Sequence, residues 1–185
     1  VMLYYDCGKA VRFSESDVRP MGRTARGVKG MTLEEGQSVI ALLVAEDESE
    51  TVLTATENGF GKRTEIAEYS RHARGTKGMI AIQTSERNGK VVAATLVKDA
   101  DEVMLLTEKG KIVRTPVADI RVRKRATQGV TLISLKDDSL AAVQRITEDD
   151  VDDDEAASQA AAVPQAAGQQ GQENPQGGES SGDQQ

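Results

Sequence analysis

Val52-Leu53-Thr54-Ala55-Thr56-Glu57-Asn58-Gly59-Phe60-Gly61-Lys62-Arg63-Thr64 reads as two β-prone runs joined by a tight turn. Val and Thr suit a pleated backbone, and Asn-Gly supplies the positive φ that short hairpin turns demand. The pattern occurs twice more, as Tyr5-Asp6-Cys7-Gly8-Lys9-Ala10-Val11-Arg12 and as Thr107-Glu108-Lys109-Gly110-Lys111-Ile112-Val113-Arg114. The turn glycines Gly8, Gly59 and Gly110 stand 51 residues apart. A period near fifty residues is the mark of propellers and solenoids, whose units bury their apolar faces against one another.

Working outward, each copy carries an acid followed by an apolar or aromatic residue five positions after its Arg, as Asp17-Val18, Glu68-Tyr69 and Asp119-Ile120. A basic turn comes next. It reads Arg26-Gly27-Val28-Lys29-Gly30, then Arg74-Gly75-Thr76-Lys77-Gly78, then the eroded Arg125-Ala126-Thr127-Gln128-Gly129. The first copy holds three extra residues before its turn, around Arg19-Pro20-Met21-Gly22, which a surface loop absorbs. The runs Val91 to Val97, Glu102 to Leu106, Lys111 to Thr115 and Val130 to Leu135 predict four strands per unit, the size of a propeller blade. No stretch shows the ten or more residues of helical periodicity that an α/β fold needs. The expected architecture is therefore all-β, with blades at about 1–48, 49–98 and 99–146 forming one body over 1–146. Three blades leave open edges, and Val1-Met2-Leu3-Tyr4-Tyr5 is strand-like from the first residue, so further blades are expected before Val1.

The core must come from Val, Ile, Leu and Ala, because aromatic residues make up 3% of the 185 residues and Trp is absent. The net charge of −7 averages two unlike segments. Residues 147–185 hold ten acids and no Lys or Arg, which leaves 20 acids against 23 Lys and Arg in the body, about +3. The tail, acidic and then rich in Ala, Gln and Gly, is expected to be disordered. Beside a basic rim a mobile polyanion can compete with DNA. Cys7 alone can form no internal disulfide, and it reads as a small half-buried residue beside a turn. No signal peptide or long apolar run is present, so the expected location is the cytoplasm, with no membrane partner.

Duplex DNA presents dense phosphate charge, so its partner needs Lys and Arg along one rim and glycines that let backbone N–H groups approach. The predicted contacts are Arg23, Arg26 and Lys29 in the first unit and Arg71, Arg74 and Lys77 in the second. The third contributes Arg121, Arg123, Lys124 and Arg125, and Arg19 lies in the first cluster as well. A single Arg-Gly turn is more often a solvated hairpin end than a binding site; recurrence at unit spacing reverses that preference. Arg12, Arg63 and Arg114 are instead expected to pair with the acid five residues on. Few base-reading cues and no aromatic platform point to backbone contact and readout through bending.

Enzymatic readings find little support. Gly22 and Gly27 have phosphate-loop spacing, but Val28 follows where Lys is required. His72 is the only histidine, so no Cys/His zinc set or Ser-His pair is evident; it is expected to be solvated or to face phosphate. Asp149 to Glu155 lacks the glycine-turned spacing of a calcium loop. No metal site and no catalytic residue is therefore predicted.

With these features laid out, residues 1–146 resemble the C-terminal domain of the DNA gyrase A subunit family, a group of type II topoisomerases. The resemblance rests on Val52 to Thr64, on the two Arg-Gly-x-Lys-Gly turns running into Met31 and Met79, and on Val103-Met104-Leu105-Leu106-Thr107. It implies a six-bladed β-pinwheel, propeller-like with strands passing between blades, of which about three are here. It further implies duplex wrapping for ATP-driven negative supercoiling in an A2B2 heterotetramer. In that assembly ATP and Mg2+ are used through the B subunit, so no cofactor is expected in this chain. The family's nucleophilic tyrosine belongs to another region, and Tyr4, Tyr5 and Tyr69 all sit in repeat sequence. The family's Gln-Arg-Arg-Gly-Gly-Lys-Gly box has only degenerate relatives here, at Arg26 to Gly30 and Arg74 to Gly78. Two alternatives stand beside this reading: the C-terminal domain of the corresponding topoisomerase IV subunit, and a propeller scaffold for protein binding.

Overall fold

A computed structural model of the protein describes residues 1–46 and 48–147. The expected disordered tail lies outside the described residues from position 148 onward. Eleven strands and three short 3-10 turns make up the regular structure, and no α-helix occurs among the described residues. The first unit supplies β1 (Met2–Tyr5), β2 (Lys9–Arg12) and β3 (Val39–Leu43). The second supplies β4 (Thr51–Thr56), β5 (Phe60–Glu65), β6 (Met79–Ile80) and β7 (Val91–Val97). From the third come β8 (Glu102–Thr107), β9 (Ile112–Pro116), β10 (Val130–Thr131) and β11 (Leu140–Ile146). Each unit places its 3-10 turn after the hairpin, at Glu15–Asp17, Ile66–Glu68 and Val117–Asp119.

The sheets run β3-β1-β2-β6, β10-β5-β4-β7 and β11-β8-β9. Each unit's hairpin and last strand stay together, while the short third strand crosses to the sheet before it. Thus β6 of the second unit pairs with β2, as Ala10 with Met79, and β10 of the third pairs with β5, as Gly61 with Val130. Against the expectation of three four-stranded blades, the third sheet has three strands, because no later unit among the described residues donates a fourth. The run expected to be a strand over Val130 to Leu135 is also shorter. It leaves the sheet after Thr131 because Leu132 and Ile133 turn their N–H groups onto the Gly59 carbonyl, at 2.8 and 3.2 Å.

Alternation along the strands sends side chains to both faces, so apolar clusters form between sheets. One gathers Leu53, Ala55, Val97, Val103, Leu105, Val117, Ile120, Ile133 and Leu140 around the second and third sheets. Another gathers Met2, Tyr4, Ala10, Val52, Ile66, Tyr69, Ala81 and Ala94 around the first and second. Strand β7 touches both β3 and β11. No helix among the described residues is long and apolar enough to cross a membrane.

The repeated turn glycine serves more than its hairpin. Gly59 has φ +79°, and a Cβ there would drive into the Ile133 carbonyl oxygen of the next unit; Gly110 has φ +81° with nothing within 4 Å. Gly110→Ala is therefore expected to cost only the left-handed backbone penalty, about 1–2 kcal/mol. Gly59→Ala should cost at least about 1 kcal/mol more, because two sheets must part. Urea unfolding of the two variants checks this, and equal losses would contradict the close approach.

Candidate nucleic-acid interface

The three basic segments connect each 3-10 turn to the following strand, and hydrogen bonds bring them side by side. Gly75 N–H donates to the Gly30 carbonyl at 2.6 Å, and Thr32 N–H to the Thr76 carbonyl at 2.9 Å. The Thr32 hydroxyl adds a bond to the Gly75 carbonyl at 2.6 Å. The Arg26–Gly30 and Arg74–Gly78 turns therefore lie against each other. Further along, Gln83 N–H meets the Thr127 carbonyl at 2.9 Å and Asn88 Nδ2 meets the Gln128 carbonyl at 3.1 Å, so the eroded third turn abuts the second unit. The first two basic turns are thus in direct contact, and the third lies against the second unit.

Eight of the ten predicted contacts are exposed: Arg23, Arg26, Lys29, Arg71, Lys77, Arg121, Arg123 and Lys124. Lys77 also pairs with Glu34 at 3.1 Å, which holds the Glu34 carboxyl below its ordinary pKa. The other two are half-buried and spent on the protein. Arg74 donates to the Asp17 and Lys29 carbonyls, both at 3.1 Å, binding its turn to the first unit. Arg125 donates to the Ile80 carbonyl at 2.8 Å and lies 6.0 Å from the Tyr69 ring centroid, a cation–π distance. These two shape the surface more than they charge it. His72 is exposed beside the second turn, with its N–H on the Arg12 carbonyl at 2.8 Å.

The expected pairing of Arg12, Arg63 and Arg114 with the acid five residues on is not what the structure shows. The side chain of Arg12 reaches the next unit's 3-10 turn, donating to the Ile66 and Tyr69 carbonyls at 2.9 and 3.0 Å and to Glu48 at 2.7 Å. Arg63 repeats this one unit on, donating to the Ile120 carbonyl at 2.6 Å and pairing with Asp99. A buried guanidinium needs several acceptors at once, and the carbonyls at the end of a 3-10 turn supply them where a local carboxylate would not. Arg114 has no following unit among the described residues and pairs with Glu102 on its own hairpin.

One residue was missed by sequence reasoning. Lys62 is 0% exposed, and its Nζ donates to the Lys124 carbonyl at 2.6 Å and to the Arg125 carbonyl. Burial, with Arg125 nearby, pushes its pKa down to about 8. The signal was a Lys where the other copies have Val11 and Val113. Tyr4, Tyr5 and Tyr69 are buried, and burial raises each phenol's pKa, Tyr5 to about 12. The half-buried Cys7 thiol is likewise raised by burial.

Comparison with known proteins gives this geometry its relatives. The chain matches the family described as DNA gyrase C-terminal domain, beta-propeller, over residues 6–46, 50–98 and 101–147. It is 48% identical over 149 residues to the DNA gyrase A subunit of Pseudomonas aeruginosa, covering 80% of this chain and 16% of that protein. For the DNA gyrase A subunit of Escherichia coli K12 the identity is again 48% over 149 residues, covering 80% of this chain and 17% of that protein. The chain thus spans about a sixth of the length of these relatives. Among solved structures it resembles a DNA gyrase A C-terminal domain, with TM-score 0.70 and 29% identity over 78% of this chain and 50% of that one. The C-terminal domain of DNA topoisomerase IV also resembles it, with TM-score 0.77 and 27% identity over 88% of this chain and 51% of that one. A match in three segments, on a fold of repeated hairpins that exchange strands, means that the chain belongs to the DNA gyrase C-terminal domain, beta-propeller, family.

Proposed function

We propose that this chain binds duplex DNA along the surface of its three adjoining basic turns and bends it, as the DNA-wrapping part of a gyrase A subunit. The observation that supports this most is the contact of the Arg26–Gly30 turn with the Arg74–Gly78 turn through the Gly75 and Thr32 bonds. Cations from separate units thereby share one surface, as a phosphate backbone crossing several units requires. Exposed Arg and Lys contact phosphate oxygens without reading bases, so sequence preference enters through the energy of bending the duplex.

In the whole protein this bending would feed ATP-driven negative supercoiling by an A2B2 assembly in the bacterial cytoplasm. The B subunit would supply the use of ATP and Mg2+.

Duplex affinity measured across salt tests the DNA reading. The log–log slope is expected to approach about 0.9 per phosphate neutralised. An affinity flat in salt would overturn it and favour the protein-binding scaffold. The fold match to topoisomerase IV favours a second reading as that enzyme's C-terminal domain. Full-length protein, supplied with ATP and the B subunit, separates the two on relaxed circular DNA. Gyrase would introduce negative supercoils, whereas topoisomerase IV would not.

A further inference from the structure

Lys62 sits on β5 at the position that Val11 and Val113 occupy in the other hairpins, so the fold itself accepts an apolar residue there. A buried ammonium is costly unless bonded, and Lys62 places its donors on two consecutive backbone carbonyls, those of Lys124 and Arg125. Its neighbour continues the attachment through the backbone. Arg63 N–H donates to the Arg121 carbonyl at 3.4 Å, and the Arg63 carbonyl accepts from Arg123 N–H at 2.8 Å. Residues 62 and 63 thus bind the main chain of the run Arg121-Val122-Arg123-Lys124-Arg125, and Arg121, Arg123 and Lys124 stay exposed.

The second unit's segment shares one of these bonds, its His72 backbone N–H meeting the Arg12 carbonyl at 2.8 Å, but no lysine holds it from beneath. It has Gly75 and Thr76 bonded to the first turn, and the Tyr5 phenol on the Lys77 carbonyl. One unit on, the residue matching Tyr5 is Thr56, whose hydroxyl instead bonds the Phe60 carbonyl of its own hairpin at 3.1 Å. The third turn has also lost a glycine and a lysine, to Ala126 and Gln128. The Gln128 carbonyl, which matches that of Lys77, accepts instead from Asn88 Nδ2 at 3.1 Å, and Lys62 adds a side-chain anchor earlier in the run, at Lys124 and Arg125.

We propose that Lys62 is a positioning residue for DNA binding, which holds the 121–125 main chain from beneath so that Arg121, Arg123 and Lys124 face the duplex. This rests on the DNA-binding reading above, and the test separates the two. In the full-length protein, Lys62→Met keeps the length of the side chain, and Lys62→Val restores the residue of the other repeats should the methionine variant fold poorly. Either variant is expected to weaken duplex affinity about three- to tenfold and to lower the salt slope by about one to two, the loss of one or two phosphate contacts. In an R121A/R123A/K124A background the same substitution should have no further effect, because the side chains it positions are gone. Equal losses in both backgrounds would reduce Lys62 to a bare charge or a general stabiliser, and no loss in the parent would overturn the proposal outright. Hydrogen exchange without DNA reads the anchor alone. Amides within 121–129 should exchange faster in the Lys62 variants while those of β1 and β2 do not, and unchanged protection at 121–129 would refute the anchor. Failure of the parent protein to bind duplex would defeat the DNA reading and leave that exchange result standing.

Discussion

Replacing Arg23, Arg26, Lys29, Arg123 and Lys124 together by alanine should weaken duplex binding by about 10²-fold or more at low salt and lower the log–log salt slope by about four. All five are exposed. Each phosphate neutralised contributes about 0.9 to the slope, so five contacts account for the change. The informative comparison is Arg74→Ala with Arg125→Ala, which removes two cations of the same recurring motif. Both are already bonded to backbone carbonyls, at Asp17 and Lys29 and at Ile80. Their loss should shift the slope by less than about one while lowering stability, since the bonds that tie each turn to the neighbouring unit are lost. Anisotropy titrations of one duplex at several salt concentrations, beside urea unfolding, read both quantities. Equal slope changes per cation removed in the two variants would mean that charge, and not its orientation, decides binding.

That distinction was invisible in the sequence, where Arg26, Arg74 and Arg125 hold matching places. The repeat itself was legible, because Gly8, Gly59 and Gly110 mark hairpins whose alternating runs became β1–β2, β4–β5 and β8–β9. Strand exchange was not read from the residues. Strands β6 and β10 are two residues long, too short for alternation to show, and their partners lie about seventy positions away. Arg12 and Arg63 read as local ion pairs because Asp17 and Glu68 stand nearby in sequence, yet their carboxylate partners are Glu48 and Asp99. Those two acids are also 51 residues apart. Recurrence of the acid, rather than its nearness to the arginine, was the usable signal. The basic segments were legible in the sequence, but which of their side chains bond the protein's own backbone was not, since side-chain direction depends on carbonyls that only the folded chain brings near.

The arginines between units lead to the second large effect. Arg63→Ala is expected to destabilise the fold by about 2–4 kcal/mol, and Arg12→Ala by an amount at the upper end of that range. Each side chain is at most 8% exposed and spans two sheets. Truncation removes the charged donor from the Ile120 carbonyl, or from that of Tyr69 and from the Ile66 carbonyl, which keeps the Tyr69 N–H, at about 1–3 kcal/mol for each arginine. Loss of the buried stem's packing adds to this. The carboxylates add little, because Glu48 and Asp99 are 55% and 82% exposed and such pairs contribute less than about 1 kcal/mol. Arg114 is the control within the chain, since it holds the matching place yet is 50% exposed and bonds only Glu102 of its own hairpin. Its alanine variant should stay within about 1 kcal/mol of the parent. With no tryptophan and three buried tyrosines, tyrosine fluorescence during urea unfolding reports the loss of packing directly. If Arg114→Ala matched Arg63→Ala, the stabilisation would reside within each hairpin, and the carbonyls of the neighbouring unit would not be what these arginines serve.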